Sequence, residues 1–319
     1  MTDHPGGLTR DHVVWAYRLL LDRDPESDDV IGPKLSGSRD TRELRRHLMT
    51  SAEFQDKNRD YAHTNDRTVV IKELDGEGSA RLFVDLSDHV IGLNIVRGTY
   101  ETSEIQFVRS IVKAADTVID VGAHIGFFTI HLAALVGAGG RVYAFEPFEA
   151  NLALLERSVA ENRFRDRVRA RRAAVGATSG TATLTFPRET LNTGGAYLLP
   201  DGGAPLAGNL TARVPLVALD DLDIAGPVRF IKMDVEGAEP QVLRGATRLL
   251  ERDRPIILSE VHPTQLERAS RTDADALLAL LGELGYRAHH VENGALGGPL
   301  DTVPTDALVS IALVPADKS

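Results

Sequence analysis

The chain has 319 residues, of which 43% are hydrophobic and 26% charged, a composition that excludes a disordered protein and predicts a globular one. Its formal net charge of −10 at pH 7 argues against a nucleic-acid-binding protein, which needs a basic surface. The absence of cysteine excludes disulfides, thiolate metal sites and cysteine nucleophiles, and it fits a reducing cytoplasm.

Two further patterns bear on location. The N-terminal sequence MTDHPGGLTRDH lacks the charged-then-apolar order of a signal peptide. The longest apolar run, Phe127 to Val136, is shorter than the roughly 20 residues that a membrane-spanning helix needs. We therefore expect a cytoplasmic protein without a membrane span.

The first 62 residues are expected to form a separate helical module. Apolar residues recur at helical spacing in HVVWAYRLLLDR, Pro25 interrupts the pattern, and a second helix is predicted over Thr41–Met49. The combination of YRLLLDRDPES with RELRRHLMTSAEF resembles a small helical module that occurs beside bacterial glycan-modifying enzymes. The alternative is a helical cap with no partner of its own.

Residues 63–99 are expected to form a small β extension. TVVIKEL and ARLFVDL both alternate between apolar and polar residues, and Asp75–Ser79 between them has the glycines of a hairpin turn. The segment VIGLNIVRG predicts a third strand. Glu101–Lys113 then has the apolar spacing of an amphipathic helix, which leads into the main domain.

The main domain is organised around Thr117–Gly126, which predicts a strand, a glycine turn and the start of a buried helix. Dinucleotide-binding folds have G-x-G-x-x-G at this turn, whereas the order here is D-x-G-x-x-x-G, with Asp120, Gly122 and Gly126. A carboxylate at the strand end repels a pyrophosphate and suits an ammonium group, so the pattern favours a ligand with an amino-acid end. His124, inside the turn, either touches that ligand or hydrogen-bonds its own backbone.

A second predicted strand, Arg141–Pro147, carries Glu146 at its end. In folds of this kind, an acid at this position accepts hydrogen bonds from both ribose hydroxyls of an adenosine. Together, the glycine turn and Glu146 predict a site for an adenosine with an amino-acid tail. S-adenosyl-L-methionine is the candidate cofactor.

The rest of the sequence alternates between strands and helices, which predicts a doubly wound, mostly parallel α/β sheet. Two strands in succession at the end, YRAHHV and ALVSIALVP, indicate that the last strand inserts antiparallel. The stretch Pro187–Leu210 contains glycines and prolines and is too long for an ordinary connection. It is therefore a candidate lid or substrate loop.

Acidic residues follow two of the predicted strands. Asp234 ends the apolar strand RFIKMDV, and Glu260 and His262 end the next strand, PIILSEVHP. Because ligands bind at the carboxyl edge of open α/β sheets, we expect these three side chains to converge beside the glycine turn. His262 is the candidate base for a hydroxyl proton, with Glu260 or Asp234 in support. Glu236 and Glu239 lie in the next helical turn, where the helix dipole favours acids.

The motifs VIDVGAHIGFFT, YAFEP, FIKMDVEGAEPQVLRGA and IILSEVHP resemble those of the FkbM-type S-adenosylmethionine-dependent methyltransferases, over residues 100–319. The resemblance implies a class I, Rossmann-like methyltransferase fold and O-methylation of a hydroxyl on a sugar, polyketide or other secondary metabolite. It further implies that Asp120 and Gly122 bind the methionine part of the cofactor, that Glu146 binds the ribose, and that Asp234 lies between cofactor and substrate.

Two more positions enter through this resemblance. Glu101, in the GTYE before the fold, matches a family position. The family's turn usually reads GAN, and here His124 replaces the asparagine. The expected cofactor site therefore comprises Glu101, Asp120, Gly122, His124, Gly126, Glu146 and Asp234.

Other functions remain open on the sequence alone. An NAD-dependent oxidoreductase uses a similar fold, although the missing G-x-G-x-x-G argues against it. A degenerate methyltransferase fold that acts as a non-catalytic scaffold is a second alternative. The acids near Asp234 could also bind Mg²⁺ as a second cofactor. However, the sequence has no typical metal-ligand spacing, and no metal site is assigned. The expected partner is a small-molecule or glycoside hydroxyl substrate and not a nucleic acid.

Overall fold

The computed structural model describes residues 8–21, 23–49, 51, 53–54, 69–86, 88, 91–187, 195–200, 202–304 and 307–318. The chain divides into two compact units, Met1–Arg67 and Thr68–Ser319. The limit expected between the helical module and the β extension, at residues 62 and 63, lies outside the described residues. The division into 1–62, 63–99 and 100–319 therefore stays a prediction.

In the described part of the first unit, three helices are complete: α1 (Arg10–Leu21), α2 (Asp28–Ser36) and α3 (Thr41–Met49). They enclose a small apolar core of their own, formed by Val13, Tyr17, Leu21, Ile31, Leu44 and Leu48. α1 and α3 agree with the sequence prediction. α2 has no counterpart in it, because its sequence contains Gly32 and Pro33, which are unfavourable within helices.

The second unit opens with a hairpin, as the sequence predicts. β1 (Val69–Glu73) and β2 (Arg81–Asp85) pair antiparallel in one register along their whole length. Leu82 and Val84 of β2 are fully buried, so this hairpin packs one face on the core of the unit. Two helices, α4 (Ile91–Arg97) and α5 (Thr102–Ile111), lead from the hairpin to the main sheet.

Helix α4 corrects the sequence prediction, which places a third strand here. The segment is rich in β-branched residues, but packing decides its conformation. Gly92 lies so close to β2 that a Cβ at this position would be 2.2 Å from the carbonyl oxygen of Asp85. Helical spacing also brings Ile95 into the core, where 2% of its surface is exposed.

Twelve further strands follow in the described part of the chain. They are β3 (Thr117–Val121), β4 (Arg141–Phe145), β5 (Val168–Arg171), β6 (Ala174–Val175), β7 (Gly180–Pro187), β8 (Tyr197–Leu198), β9 (Asn209–Val217), β10 (Val228–Met233), β11 (Ile256–Val261), β12 (Tyr286–Glu292), β13 (Ala295–Pro299) and β14 (Val309–Pro315). β8, β9 and β13 have no counterpart among the predicted strands.

Eight of these strands form the main sheet, in the order β13-β12-β14-β11-β10-β3-β4-β5. β5, β4, β3, β10 and β11 run parallel to one another. β14 lies between β11 and β12 and is antiparallel to both. The predicted doubly wound, mostly parallel sheet with an antiparallel last strand is therefore confirmed.

Helices cover both faces of this sheet. The remaining helices are α6 (Phe127–Val136), α7 (Glu149–Glu161), α8 (Glu239–Arg244), α9 (Thr247–Asp253), α10 (Pro263–Ser270) and α11 (Ala274–Glu283). Val118 and Ile119, which are adjacent in β3, belong to two different apolar clusters. One cluster contains residues of α5, α6 and α7, and the other contains residues of α8 to α11. The alternation of side chains along a strand thus separates the two layers.

The single helix predicted for EGAEPQVLRGATRLLE is divided into α8 and α9. The division falls at Gly245 and Ala246, between the two helices. A Cβ at Gly245 would lie 2.0 Å from the carbonyl oxygen of Gly176, so this turn needs a residue without a side chain.

A second, four-stranded sheet has the order β6-β9-β7-β8. β7 and β9 pair antiparallel from Gly180 opposite Leu216 to Pro187 opposite Asn209. Within the predicted loop Pro187–Leu210, residues 188–194 and 201 lie outside the described residues, and Tyr197–Leu198 forms β8 on the edge of β7. No helix in the described ranges is both long and apolar enough to span a bilayer.

Candidate active site

The glycine turn joins the ends of two neighbouring strands. Gly122 follows β3 with a φ of +80°, and a Cβ there would lie 1.8 Å from the carbonyl oxygen of Asp234, which follows β10. Only glycine fits this approach, so the turn lies directly against the backbone that follows β10. Gly126 begins α6 at a φ of +95° and packs against Leu155.

Asp120 lies beneath this turn. It is 1% exposed, and the Thr129 hydroxyl donates a hydrogen bond of 2.5 Å to its Oδ2. Burial raises its pKa to about 6, although the hydrogen bond from Thr129 and the charge of Lys232 oppose the increase. Asp120 therefore contributes a negative charge behind the turn.

Glu146 follows β4 and is held at both carboxylate oxygens. The backbone N–H of His124 donates to Oε2 at 2.8 Å, and the backbone N–H of Phe148 donates to Oε1 at 2.7 Å. The side chain is 5% exposed, and burial raises its pKa to about 7. The side chain of Asn151 also donates a hydrogen bond to this carboxylate, so three of its four lone pairs are used. The backbone of His124 thus orients Glu146, and the replacement of asparagine at this position leaves that contact intact.

A fully buried lysine connects the ends of β10 and β11 with the start of α5. Lys232 Nζ lies 3.5 Å from Glu260 Oε1, 3.8 Å from Glu101 Oε2 and 3.9 Å from Asp234 Oδ2. It also lies 4.7 Å from the centre of the Phe128 ring, within reach of a cation–π interaction. We refer to Lys232, Glu101, Asp234 and Glu260 as the Lys232 cluster.

The charges of this cluster depend on one another. Burial by itself lowers the pKa of Lys232, but Glu260, Glu101 and Asp234 together outweigh burial and raise it. Lys232 is therefore a permanent cation. Burial also raises the pKa of Asp234 to about 6, against the effect of Lys232. The carboxyl oxygens of Glu101, Asp234 and Glu260 lie within 4.8 Å of one another, a spacing that suits a cation.

Glu101 has the least satisfied carboxylate of the cluster. Its Oε2 is buried and has no hydrogen-bond partner in the described part of the chain. Burial raises the pKa of Glu101 to about 8, with Lys232 opposing and Glu260 and Asp234 reinforcing the increase. The backbone at Glu101 is left-handed, with a φ of 44°, where the chain enters α5. Glu101 is thus a proton acceptor poised near neutral pH.

A cavity of about 640 Å³ lies above the carboxyl edge of the sheet. Five residues of the expected cofactor site line it, namely Glu101, Gly122, His124, Glu146 and Asp234. Glu260 lines it as well, and Leu184, Ala196, Tyr197 and Leu198 of the second sheet form one wall. Asp120 borders a small pocket beside it, whereas Gly126 is absent from the described lining of both.

His262 does not join the residues that converge here. Its Nδ1 accepts a hydrogen bond of 3.2 Å from the backbone N–H of Thr264, so the ring caps the N-terminus of α10. The described lining of the cavity does not include it. The expected convergence therefore holds for Asp234 and Glu260 and not for His262. Pro263, at the first position of α10, is the sequence signal for such a cap.

Glu236 lines the cavity too, although the sequence analysis treats it as a helix-stabilising acid. It has a φ of 54°, and the side-chain amide of Gln265 donates a hydrogen bond to it. Burial and the nearby Asp234, Glu239 and Glu260 raise its pKa to about 9. Glu101, His124 and Glu236 are non-glycine residues in the left-handed region, and all three line this cavity. Strain of this kind concentrates at functional sites.

A model of the methyltransferase FkbM domain matches residues 120–288, just over half of the chain. The chain belongs to this methyltransferase family. Its cofactor is S-adenosyl-L-methionine. No curated protein matches the sequence significantly.

Solved structures with a similar fold include other methyltransferases. The FkbM methyltransferase of Methylobacillus flagellatus KT matches with 19% identity and a TM-score of 0.40, over 67% of this chain and 51% of that one. An S-adenosylmethionine-dependent O-methyltransferase of Thermotoga maritima matches with 16% identity and a TM-score of 0.36, over 67% and 64%. A tRNA m1G37 methyltransferase of M. jannaschii matches with 12% identity and a TM-score of 0.40, over 79% and 58%.

The FkbM-family chain thus spans about half of the length of the first of these structures. Its own geometry fits the cofactor at two points. Gly122 leaves the backbone of the turn open where a side chain would collide with Asp234. Glu146 presents a buried carboxylate that two backbone N–H groups fix in place.

Proposed function

We propose that this protein transfers the methyl group of S-adenosylmethionine to a hydroxyl oxygen of a sugar, glycoside or other secondary metabolite. The observation that carries the proposal is the single cavity in which the glycine turn, Glu146 and the Lys232 cluster meet. Its volume of about 640 Å³ lies within the usual range of ligand pockets, about 300–1,000 Å³.

The glycine turn and Glu146 hold the cofactor in this proposal. Glu146 accepts a hydrogen bond from the ribose with the lone pair that His124, Phe148 and Asn151 leave free. Gly122 lets the methionine part approach the backbone, and Asp120 favours its ammonium group through charge from behind the turn. When bound, S-adenosylmethionine supplies a methyl group that its sulfonium centre already activates.

Glu101 acts as the base in this proposal. Glu101 lines the cavity, and its buried Oε2 has no hydrogen-bond partner in the described chain, so its carboxylate has the capacity to accept the acceptor's hydroxyl proton. Its pKa of about 8 is close to the value that general-base catalysis needs near neutral pH. Lys232 stabilises the ionised form, while Asp234 and Glu260 keep Lys232 in place.

This assignment replaces the base role expected of His262. The lone pair of its Nδ1 is already used by the Thr264 N–H, and its ring is absent from the described cavity lining. Asp234 and Glu260 keep the supporting role that the sequence indicates. The N-terminal unit has no assigned part in the reaction.

The test begins with calorimetric titration of S-adenosylhomocysteine into the full-length protein, with Glu146→Ala as the comparison. We expect micromolar binding to the wild type and at least tenfold weaker binding to the variant. Transfer of radioactive methyl from S-adenosylmethionine to a panel of glycosides and hydroxylated metabolites then tests the reaction. Folded protein that binds no S-adenosylhomocysteine would support the scaffold function, and binding of NADH in its place would support an oxidoreductase.

A further inference from the structure

The cavity is strongly acidic. Six carboxyl groups line it, from Glu101, Glu104, Glu146, Asp234, Glu236 and Glu260. Among the described lining residues there is no arginine or lysine. Lys232 lies behind the wall at 1% exposure, and the guanidinium of Arg268 lies over the ring of the lining residue Tyr197. The sulfonium of a bound cofactor adds one positive charge. An acidic excess remains when the cofactor site is filled.

Most of these acids already have an assigned partner. Glu146 is fixed by two backbone N–H groups, and the hydroxyl of Ser310 donates a hydrogen bond of 2.7 Å to Glu104. Glu101, Asp234 and Glu260 share Lys232. Even so, Glu101 Oε2 is buried and has no hydrogen-bond partner in the described structure. One lysine therefore does not satisfy the charge and hydrogen-bonding capacity of all three carboxylates.

Glu236 stands apart, because it is partly buried among other acids and has no ion pair within the described residues. Its partner is the neutral amide of Gln265. The nearby charges of Asp234, Glu239 and Glu260 all disfavour its ionisation. A cation in the cavity beside Glu236 would offset these charges and favour the ionised form of Glu236. A phosphate in the same place would disfavour that form further.

We propose that the acceptor carries a positively charged amino group that binds against Glu236, so that the substrate class is an amino-bearing, non-phosphorylated hydroxyl compound of the amino-sugar kind. This inference rests on the proposed function and specifies its acceptor. An ammonium group donates up to three hydrogen bonds and carries the charge that the wall lacks. Leu184, Tyr197 and Leu198, which also line the cavity, offer apolar surface to the body of such a molecule. Nucleotide-linked and nucleic-acid acceptors are excluded by the same charges.

The experiment uses full-length protein saturated with S-adenosylhomocysteine, so that the cofactor half of the cavity is filled. Three matched probes are titrated into it, namely methyl glucosaminide, methyl glucoside and glucose 6-phosphate. We expect the amino sugar to bind at least tenfold more tightly than the neutral glycoside, and the phosphate to show no binding. Equal binding of the first two, preference for the phosphate, or no binding of any probe would overturn the proposal.

The variant Glu236→Gln tests whether Glu236 causes the preference for the amino sugar. It should reduce the preference for the amino sugar to less than about twofold and leave the affinity for S-adenosylhomocysteine unchanged. Glu251→Gln, on the exposed face of α9, is the matched control and should keep the full preference. A preference that survives in Glu236→Gln would contradict the assignment of the ammonium site.

Two further readouts separate this proposal from its alternatives. Titration with MgCl₂ and with EDTA tests whether the missing cation is a metal held by Glu101, Asp234 and Glu260. Magnesium binding that is required for the sugar to bind would overturn the amine proposal. If S-adenosylhomocysteine does not bind at all, the proposed function fails first. If it binds and the amine preference is absent, only the acceptor class fails.

Discussion

Lys232 and Glu101 are far apart in the chain, yet the lysine Nζ lies 3.8 Å from the buried Oε2 of Glu101. Asp234 and Glu260 hold the same ammonium group from the neighbouring strand ends. Burial raises the pKa of the proposed base, and this permanent cation opposes the increase. Three carboxylates at this spacing suit a metal ion, and in this protein the ammonium group of Lys232 lies next to all three.

Replacement of Lys232 by methionine should destabilise the fold by about 3–5 kcal/mol, because it leaves buried carboxylates without their partner. The loss should shrink at low pH, where these groups are protonated. Urea unfolding at pH 5.5 and pH 8 measures both effects. Lys113→Met, at an exposed position, is the control and should change little. An equal loss at both pH values would contradict the electrostatic explanation.

Glu101→Gln should lower the turnover number by about 10²–10⁴-fold, the usual contribution of a general base. The amide keeps the shape of the side chain but takes no proton, so the affinity for S-adenosylhomocysteine should stay within about twofold. Kinetics with the best acceptor of the methyl-transfer panel, together with calorimetry, separate the two effects. Glu161→Gln, on α7, serves as the control for a glutamate away from the cavity. Full turnover in Glu101→Gln would remove Glu101 from the mechanism.

His262→Ala distinguishes the role seen in the structure from the one that the sequence predicts. Loss of the cap on α10 should cost about 1 kcal/mol in the free energy of unfolding and leave the turnover number nearly unchanged. His262→Asn, which retains a capping side chain, should recover most of the stability. A hundredfold drop in turnover in His262→Ala, with the protein folded, would restore His262 as the base.

Glu236 makes stability depend on pH. Burial and nearby acids raise its folded-state pKa to about 9, above the value of about 4.3 in an unfolded chain. Its stabilising contribution is therefore complete below about pH 4 and is lost as the pH rises through about 9. Glu236→Gln removes this loss, so the variant should be more stable than the wild type at pH 9 by more than about 1.4 kcal/mol, the equivalent of one pKa unit.

Urea unfolding between pH 6 and pH 9 tests this expectation. The free energy of unfolding of the wild type should fall over this interval, and that of Glu236→Gln should fall less. Glu156→Gln, on the exposed side of α7, should reproduce the wild-type slope. Parallel curves for all three proteins would show that Glu236 does not carry the raised pKa.

Gly122→Ala tests the close approach of the glycine turn to Asp234. A Cβ 1.8 Å from the Asp234 carbonyl must displace one of the two strand ends, and the φ of +80° adds strain. We expect at least tenfold weaker binding of S-adenosylhomocysteine and a loss of more than about 1 kcal/mol in stability. Gly282→Ala in α11 is the control, since it meets open space and should stabilise the helix by up to about 1 kcal/mol.

The cofactor half of the site was accessible to sequence reasoning because each part is local. Asp120 lies near the end of β3, and Gly122 and Glu146 directly follow the parallel strands β3 and β4, so the pattern of apolar strand, glycine and acid indicates where they meet. The mostly parallel character of the main sheet likewise follows from alternating strands and helices. These residues line or border one site because the carboxyl ends of neighbouring parallel strands share an edge.

The acceptor half was not accessible, because its contacts join distant segments. Glu101 approaches Lys232 only after α5 packs beside the sheet, and Ser310 reaches Glu104 from β14. Helix α4 escaped prediction because its strand propensity is overruled by the contact of Gly92 with β2. The capping role of His262 was not predicted, because a histidine before proline looks the same in a sequence whether its side chain caps a helix or contacts a ligand.

The chain enters the second sheet at β6 and leaves it at the end of β9, and these two segments are adjacent. β6 and the end of β9 lie side by side, with Ala174 opposite Leu216 and Val175 opposite Val217, so the stretch between them is a loop closed at its base. Leu184, Ala196 and Tyr197, which face the cavity, all belong to that stretch. Replacement of this stretch by the corresponding one of another family member should therefore change the range of acceptors and leave the cofactor site unchanged.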